Sequence, residues 1–275
     1  MKILLAIIIT ATFSFGCAML EGEQTTTDTG GGGTTSAPTG GGDSTPTVAA
    51  DSSVTSGRVA AGGYHTCAIK ADDTVACWGV ESGWDYTGQT NVPVGLGSVK
   101  SVAAGSYYTC AIKADDTLEC WGDDADGQSS VPSGLGSVKS VTPGGSHTCA
   151  IKADDTLECW GNDGAGQSSV PSGFGSVKSV AAGSYYTCAI KADDTLECWG
   201  GDADGQSSVP SGLGSVKSVA VHYTTTCAIK ADDTLECWGR NQFGQTNVPV
   251  GLGSVKSVVA GYIHTCAIKA DDSVE

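Results

Sequence analysis

The sequence predicts an all-β fold assembled from one short unit used repeatedly, and three observations carry that prediction. The phrase T-C-A-I-K-A-D-D begins at Thr66, Thr109, Thr148, Thr187, Thr226 and Thr265, with spacings of 43, 39, 39, 39 and 39 residues. Within each unit the side chains alternate with period two, as in Cys110-Ala111-Ile112-Lys113 and Leu118-Glu119-Cys120-Trp121, the pattern of strands. The stretch Gly97 to Gly122 recurs unchanged as Gly175 to Gly200, in a chain of 275 residues that suffices for one extended domain.

Each unit reads roughly S-V-K-S-V-A-A-G, x-x-[YH]-T-C-A-I-K, A-D-D, T-L-E-C-W-G, a variable loop, then G-Q-[ST]-[SN]-V-P-x-G-[LF]-G. Placing Ala114-Asp115-Asp116 in a three-residue hairpin loop pairs Lys113 with Thr117, Ile112 with Leu118, Ala111 with Glu119 and Cys110 with Cys120. Such loops end on a left-handed residue, commonly Gly; Asp116 and its equivalents take that place, and Asp tolerates it better than most residues. The two cysteines then oppose each other on the side of Ile112 and Leu118, at a separation a disulfide spans. The predicted bonds are Cys67–Cys77, Cys110–Cys120, Cys149–Cys159, Cys188–Cys198 and Cys227–Cys237. Each closes a short loop worth about 2–3 kcal/mol in the chain-entropy model. Metal binding is the competing reading, but zinc sites favour close Cys pairs or Cys/His sets, and this C-x9-C has no histidine of matching regularity. Of the twelve cysteines, setting Cys17 aside leaves Cys266 without a mate. The period places its partner immediately after Glu275, so a truncated sequence is expected.

A unit of three or four short strands cannot bury a face alone, so neighbours must stack. Periods near 40 residues with all-β content suit a propeller. At residue level, V-A-A-G-x-x-H-T-C-A-I-K-x-D-D-T-x-x-C-W-G resembles the regulator of chromosome condensation repeat, and Arg240-Asn241-Gln242-Phe243-Gly244-Gln245 matches its W-G-x-N-x-x-G-Q segment. The G-Q-T-N-V-P-x-G-L phrase is similar to the bacterial branch that includes the propeller-type β-lactamase inhibitor proteins. The resemblance covers about Gly57 to Glu275 and implies a propeller of seven blades, of which five complete repeats and part of a sixth are present. It departs from the family in Asp for Gly in the hairpin loop and Asp for Asn after most W-G pairs.

The N-terminus reads as an export signal. Lys2 precedes an apolar run from Ile3 to Phe15, too short to span a bilayer. The run ends at Ser14-Phe15-Gly16-Cys17, which resembles the lipobox of bacterial lipoproteins and implies lipidation of Cys17; ordinary signal cleavage is the plainer alternative. Residues 18–56 are Thr, Gly, Ser and Pro with almost nothing to bury, a tether expected to be disordered. The expected divisions are therefore 1–17, 18–56 and 57–275. Export also suits disulfides, which persist outside the reducing cytoplasm. The expected location is the bacterial cell envelope, lipid-anchored at the outer membrane or cell surface.

Composition narrows the function. The formal net charge is −16 with only 14 basic residues, and these are scattered, which argues against nucleic acid. Acid excess suits a self-repelling surface or a basic partner. Copy-against-copy comparison shows two variable segments per unit, one just before T-C and one after W-G. In an antiparallel meander alternate connections emerge on the same side, so both should share one face of the disc. All eight tyrosines, with Trp84 and Phe243, fall in those segments. Candidate partner-binding residues are Tyr64, Trp84, Tyr86, Tyr107, Tyr185, Tyr223, Phe243 and Tyr262, since exposed aromatics mark protein-binding surfaces. Tyr108, Tyr186 and the histidines two before Cys are read as packing, as are Trp78, Trp121, Trp160, Trp199 and Trp238 between blades. Asp124-Ala125-Asp126-Gly127 and Asp202-Ala203-Asp204-Gly205 look slightly like the opening of a calcium loop but lack the distal Glu; acidic turns explain them better. His222 replaces a Gly found in the other units. There is no Ser/His/Asp constellation, phosphate loop or metal-binding histidine cluster. The expectation is a non-enzymatic module with a protein partner and no cofactor, metal, nucleic acid or small-molecule substrate; a structural or adhesive envelope role is the alternative, and a carbohydrate-binding or lyase-type propeller a remoter one.

Overall fold

The computed structural model describes residues 58–275; the export signal, Cys17 and the tether lie outside them. The described residues fold into strands without helices, grouped in successive antiparallel sheets. The first unit holds β1 (Val59–Ala61), β2 (His65–Ile69) and β3 (Val75–Gly79). The second holds β4 (Val99–Ala104), β5 (Tyr108–Lys113) and β6 (Leu118–Gly122), and the third β7 (Val138–Pro143), β8 (His147–Lys152) and β9 (Leu157–Gly161). The fourth holds β10 (Val177–Ala182), β11 (Tyr186–Lys191) and β12 (Leu196–Gly200). The fifth has β13 (Val216–His222), β14 (Thr225–Lys230) and β15 (Leu235–Gly239). β16 (Val255–Ala260) and β17 (Thr265–Lys269) make a two-stranded sixth sheet, extended by a bridge between Ile268 and Val274. The V-P segments are not strands, so each of the first five units contributes three.

The hairpin at the centre of each unit has the register that the sequence predicts. Ile112 faces Leu118, Ala111 faces Glu119, and Cys110 faces Cys120; the Lys113 N–H donates to the Thr117 carbonyl at 2.9 Å. Asp116 closes the turn with φ 67°, and its equivalents Asp73, Asp155, Asp194, Asp233 and Asp272 do the same at 61–68°. The preceding acid locks the turn: Asp115 Oδ1 accepts from Thr117 N at 3.0 Å and Thr117 Oγ1 at 2.6 Å. Opposed cysteine Cα atoms lie 4.0–4.1 Å apart, and all five predicted disulfides are formed. Cys266 is no free thiol either, which corrects the expectation that it stands alone.

Neighbouring units join along three lines. First, the left-handed aspartate offers its carbonyl forward: Val99, Val138, Val177, Val216 and Val255 each donate to it from the next unit at 2.9 Å. Second, the cystine face packs on the following unit. Cys110, Ile112, Leu118 and Cys120 meet Leu135, Val138, Val141, Ala150 and Trp160 in one cluster, and the other boundaries repeat this arrangement. Third, the glutamine of each G-Q phrase is buried in the seam. The Gln128 carbonyl accepts from Trp160 Nε1 at 3.1 Å and Thr148 Oγ1 at 2.7 Å. Trp121, Trp160, Trp199 and Trp238 are buried as expected of packing residues. Trp78 departs from that expectation at 38 % exposure, because among the described residues no preceding glutamine carbonyl receives it.

In units one to four the residue two before the T-C cysteine also crosses the seam. Tyr108 and Tyr186 are fully buried and donate from OH to the His147 and Thr225 carbonyls at 2.6 Å. His147 Nε2 lies 2.8 Å from Thr187 Oγ1. That hydroxyl gives its own proton to the Gln167 carbonyl, so it accepts from the histidine, and the imidazole is neutral with its proton on Nε2. The A-A-G glycine makes room for this ring: a Cβ on Gly183 would lie 2.5 Å from Tyr186 Cε1. Unit five reverses the volumes. Thr225 replaces the ring and His222 the glycine, and the two face each other across the strand pair. His222 is thus one half of a packing exchange.

Two outcomes follow for stability. Replacing Cys110 and Cys120 together by Ala should lower stability by about 3 kcal/mol, read as a lower urea midpoint; an unchanged midpoint would show that strand packing alone fixes the hairpin. Burial lowers the His147 and His65 pKa values from 6.5 to about 4, so the unfolded chain binds protons that the folded chain refuses. Stability from these groups is full above about pH 6.5 and is lost as pH falls towards 4, by about 3 kcal/mol per histidine. His147→Tyr, which copies Tyr108 and Tyr186, should flatten the acid limb of a stability–pH curve; an equally steep limb would place the acid sensitivity elsewhere.

Candidate protein-interaction face

The two variable segments of each unit lie at one end of its hairpin, opposite the A-D-D turn, and backbone hydrogen bonds tie them together. Val80, Asp123, Asn162, Gly201 and Arg240, at the start of the second segments, donate to the carbonyls of Tyr64, Tyr107, Ser146, Tyr185 and Thr224 in the first, at 2.7–3.0 Å. The glycine of C-W-G permits this approach: Gly122 has φ 109°, and a Cβ there would sit 2.7 Å from the Tyr107 carbonyl oxygen. Both segments therefore share one face, as the meander argument requires. The other end carries exposed ion pairs such as Lys100–Asp116 and Lys139–Asp155 at 2.5 Å, each worth little in water.

Within the second segment the buried glutamine is the brace. Gln128 Oε1 accepts from Asp126 N at 2.9 Å, and its Nε2 donates to Asp123 Oδ2 at 2.7 Å. The residue after that acid closes the loop on its far side. Asp163 accepts from Ser168 N, Ser169 N and Ser169 Oγ at 2.9, 3.0 and 2.6 Å. Its carboxyl is held below the ordinary range, chiefly by the Ser169 hydroxyl. Asp124 with Ser130 and Asp202 with Ser208 repeat this geometry. In unit five the pair is Asn241 and Asn247, with Nδ2 donating to Oδ1 at 2.7 Å. The Asp-for-Asn departure is therefore half of an exchange: an acid meets a hydroxyl where an amide meets an amide. These aspartates are turn braces, which accounts for the calcium-like phrases. Among the described residues no group of three or more His, Cys, Asp or Glu is arranged to hold a metal ion.

The eight candidate aromatics divide into two clusters and one outlier. Tyr64 and Tyr107 stack with ring centroids 4.6 Å apart and an interplanar angle of 19°. Tyr107 OH reaches Asp85 Oδ1 at 3.5 Å, and the phenol pKa is pushed up, first by its hydrogen bond with Tyr64 and then by burial. Tyr86 is half-buried in the same loop, while Trp84 at its tip is fully exposed, 103 % of the reference area. In the second cluster Tyr223 lies between Tyr185, centroids 6.4 Å apart, and Tyr262, 4.8 Å apart. Tyr185 and Tyr262 are 52 % and 42 % exposed. Tyr223 is held at φ 42°, an outlier for a bulky residue; the tight turn between β13 and β14 imposes it. Phe243, 64 % exposed, stands on the second segment of unit five. Unit three has Ser146 where its neighbours have tyrosine. Ile263, exposed beside Tyr262, belongs to the same surface; its place in the variable position three before Cys266 marks it in the sequence.

These observations define the class: an all-β repeat protein of disulfide-stapled three-strand units, with variable loops gathered on one side. Segments 58–85, 99–128, 138–167 and 177–206 match the family model described as the regulator of chromosome condensation (RCC1) repeat. The chain is a member of the RCC1 repeat family, whose fold is a β-propeller that generally serves as a non-catalytic interaction module. Among solved structures it is similar to the ectodomain of the receptor kinase CR4 from Physcomitrella patens, at 26% identity and a TM-score of 0.63, covering 78% of this chain and 60% of that one. This chain thus spans less than two thirds of that ectodomain. It is also similar to Prp20p from Saccharomyces cerevisiae, at 18% identity and a TM-score of 0.65, covering 78% of this chain and 70% of that one. The structure of Prp20p is described with its binding properties to Gsp1p and histones. A third likeness is to the ectodomain of the receptor kinase ACR4 from Arabidopsis thaliana, at 23% identity and a TM-score of 0.60, covering 78% and 77% of the two chains. No curated protein sequence matches the chain. Five disulfides indicate an oxidising, extracytoplasmic environment, and among the described residues no helix is long and apolar enough to cross a membrane.

Asp163→Ala should cost about 1 kcal/mol through the lost loop brace, whereas the paired exchange Asp163→Asn/Ser169→Asn should recover most of it. Thermal midpoints of the two variants decide this; equal losses would mean that an amide pair cannot replace the acid–hydroxyl brace in this unit.

Proposed function

We propose that the protein is an exported interaction module that binds another protein through the variable-loop face. The observation that carries this reading is the concentration of accessible aromatics on that face: Trp84, Phe243, Tyr185, Tyr262 and Ile263 expose apolar area there. The rings that pack between units are buried instead. Large rigid side chains in solvent have no folding role, and Tyr and Trp are the residues that dominate binding energy at interfaces. The backbone bonds between the segments preorganise the surface, which reduces the entropy lost on association.

The finer reading places the module in the bacterial cell envelope, carried by the 1–17 signal, attached through a lipid on Cys17 and held off the membrane by the 18–56 tether. The five disulfides and the export signal support the extracytoplasmic setting. A structural or adhesive spacer is the rival, favoured by the identity of Gly97–Gly122 with Gly175–Gly200.

The test is affinity capture from solubilised envelope fractions with wild type and with Tyr185→Ser/Tyr223→Ser/Tyr262→Ser, compared by quantitative mass spectrometry. Binding through the face predicts loss of specific partners by about thirtyfold or more, the equivalent of the roughly 2 kcal/mol or more that a hot spot contributes. An unchanged partner profile would favour the spacer reading.

A further inference from the structure

The first unit departs from the others by its four-residue insertion, and the stretch Glu81 to Trp84 in that lengthened loop is exposed. The segment Val80 to Gly88 carries Glu81, Trp84 and Asp85, and brings Asp85 to the hydroxyl of Tyr107 in the Tyr64–Tyr107 stack. The loop is not loose. Gln89 Nε2 donates to the Asp85 carbonyl at 2.7 Å, Gln89 Oε1 accepts from Thr87 N at 2.7 Å, and Thr87 Oγ1 donates to the Tyr107 carbonyl at 2.7 Å. A braced loop therefore presents a fully exposed indole next in sequence to Asp85, whose carboxylate meets a tyrosine hydroxyl, and three residues after the exposed Glu81. Trp84 packs on nothing that would explain its presence, and an indole face is the strongest aromatic partner for a cation.

The charge around it points the same way. Glu81, Asp85, Asp123, Asp124, Asp126, Asp163, Asp202 and Asp204 lie on the second variable segments, against the single base Arg240. Arg240 belongs to unit five, beside the other tyrosine cluster, so the second segments of units one to four, Trp84's among them, carry acids and no base. A second copy of this chain is opposed by a net charge of −16 on each.

We infer that the Val80–Gly88 loop and the Tyr64–Tyr107 stack form a docking site for the Arg or Lys side chains of a basic protein segment. The cation lies against Trp84, with Glu81 and Asp85 as its counter-charges. This rests on the proposed binding role of the face and adds the chemistry of the partner and the sector it occupies. The carboxylates steer approach, and the ring supplies the short-range contact that charge alone lacks.

The experiment measures binding of a labelled hexa-arginine peptide by fluorescence anisotropy at low and high salt. Trp84→Ala leaves the charge unchanged and, with its side chain wholly in solvent, leaves the fold intact; it should weaken binding about threefold to fivefold. Glu81→Gln/Asp85→Asn should weaken binding and flatten its salt dependence, while Asp126→Asn/Asp204→Asn, the same change of charge in other units, should do so much less. Equal binding by Trp84→Ala and wild type, or equal losses in the two charge variants, would reduce the site to diffuse acidity and overturn the inference. The same variants go through the envelope capture. If the tyrosine triple loses its partner while Trp84→Ala keeps both partner and peptide, the face binds and this site does not. If no variant changes capture and Trp84→Ala still binds the peptide normally, both readings fall.

Discussion

The structure depends on a glutamine that faces two ways. Its side chain braces the loop of its own unit: Gln128 binds Asp126 N and Asp123, and Gln167 binds Ala165 N and Asn162. Its carbonyl is meanwhile committed to the next unit, where a threonine hydroxyl and a tryptophan N–H both reach it. Burial raises the importance of each bond, because an unpaired donor or acceptor in the seam costs more than a formed bond gains. Loop conformation and unit stacking are therefore fixed by the same residue. The face inherits its shape from the core, although hardly any of its own side chains enter that core.

Much of this was legible in the sequence because the repeat makes periodicity unambiguous. Three residues between Lys113 and Thr117 leave one hairpin register, and that register sets Cys110 against Cys120 and sends Asp116 to positive φ. Side assignment followed from chain reversal alone, since a meander leaves no choice. What escaped was the partnership of residues far apart in the chain. Nothing local shows that the Tyr108 hydroxyl lands on the carbonyl of His147, or that Asp163 is matched by Ser169 and Asn241 by Asn247. Those bonds depend on how units turn relative to each other and how loops fold back. The exchange of His222 and Thr225 was hidden for the same reason: it reads as a stray histidine until the opposing position is known.

Units also differ in how much irregularity each tolerates. Repeats two and four are identical through all three strands and their turns, and they diverge only past C-W-G. Unit five instead tightens its first connection and holds Tyr223 in a left-handed conformation between two other phenols. Unit one lengthens its second connection. Neither change disturbs the paired strands beneath, whose register is the same in each complete hairpin. Departures from the consensus thus accumulate where a partner would meet the protein.

The paired loops are joined through main-chain atoms, from Val80 to Tyr64 and from Arg240 to Thr224. Such bonds are blind to side-chain identity. The display positions can therefore be rewritten one at a time, tyrosine for serine or phenylalanine for alanine, while the frame that presents them keeps its geometry. A lineage carrying this architecture holds a surface on which new specificities arise by point substitution, without compensating change elsewhere in the chain.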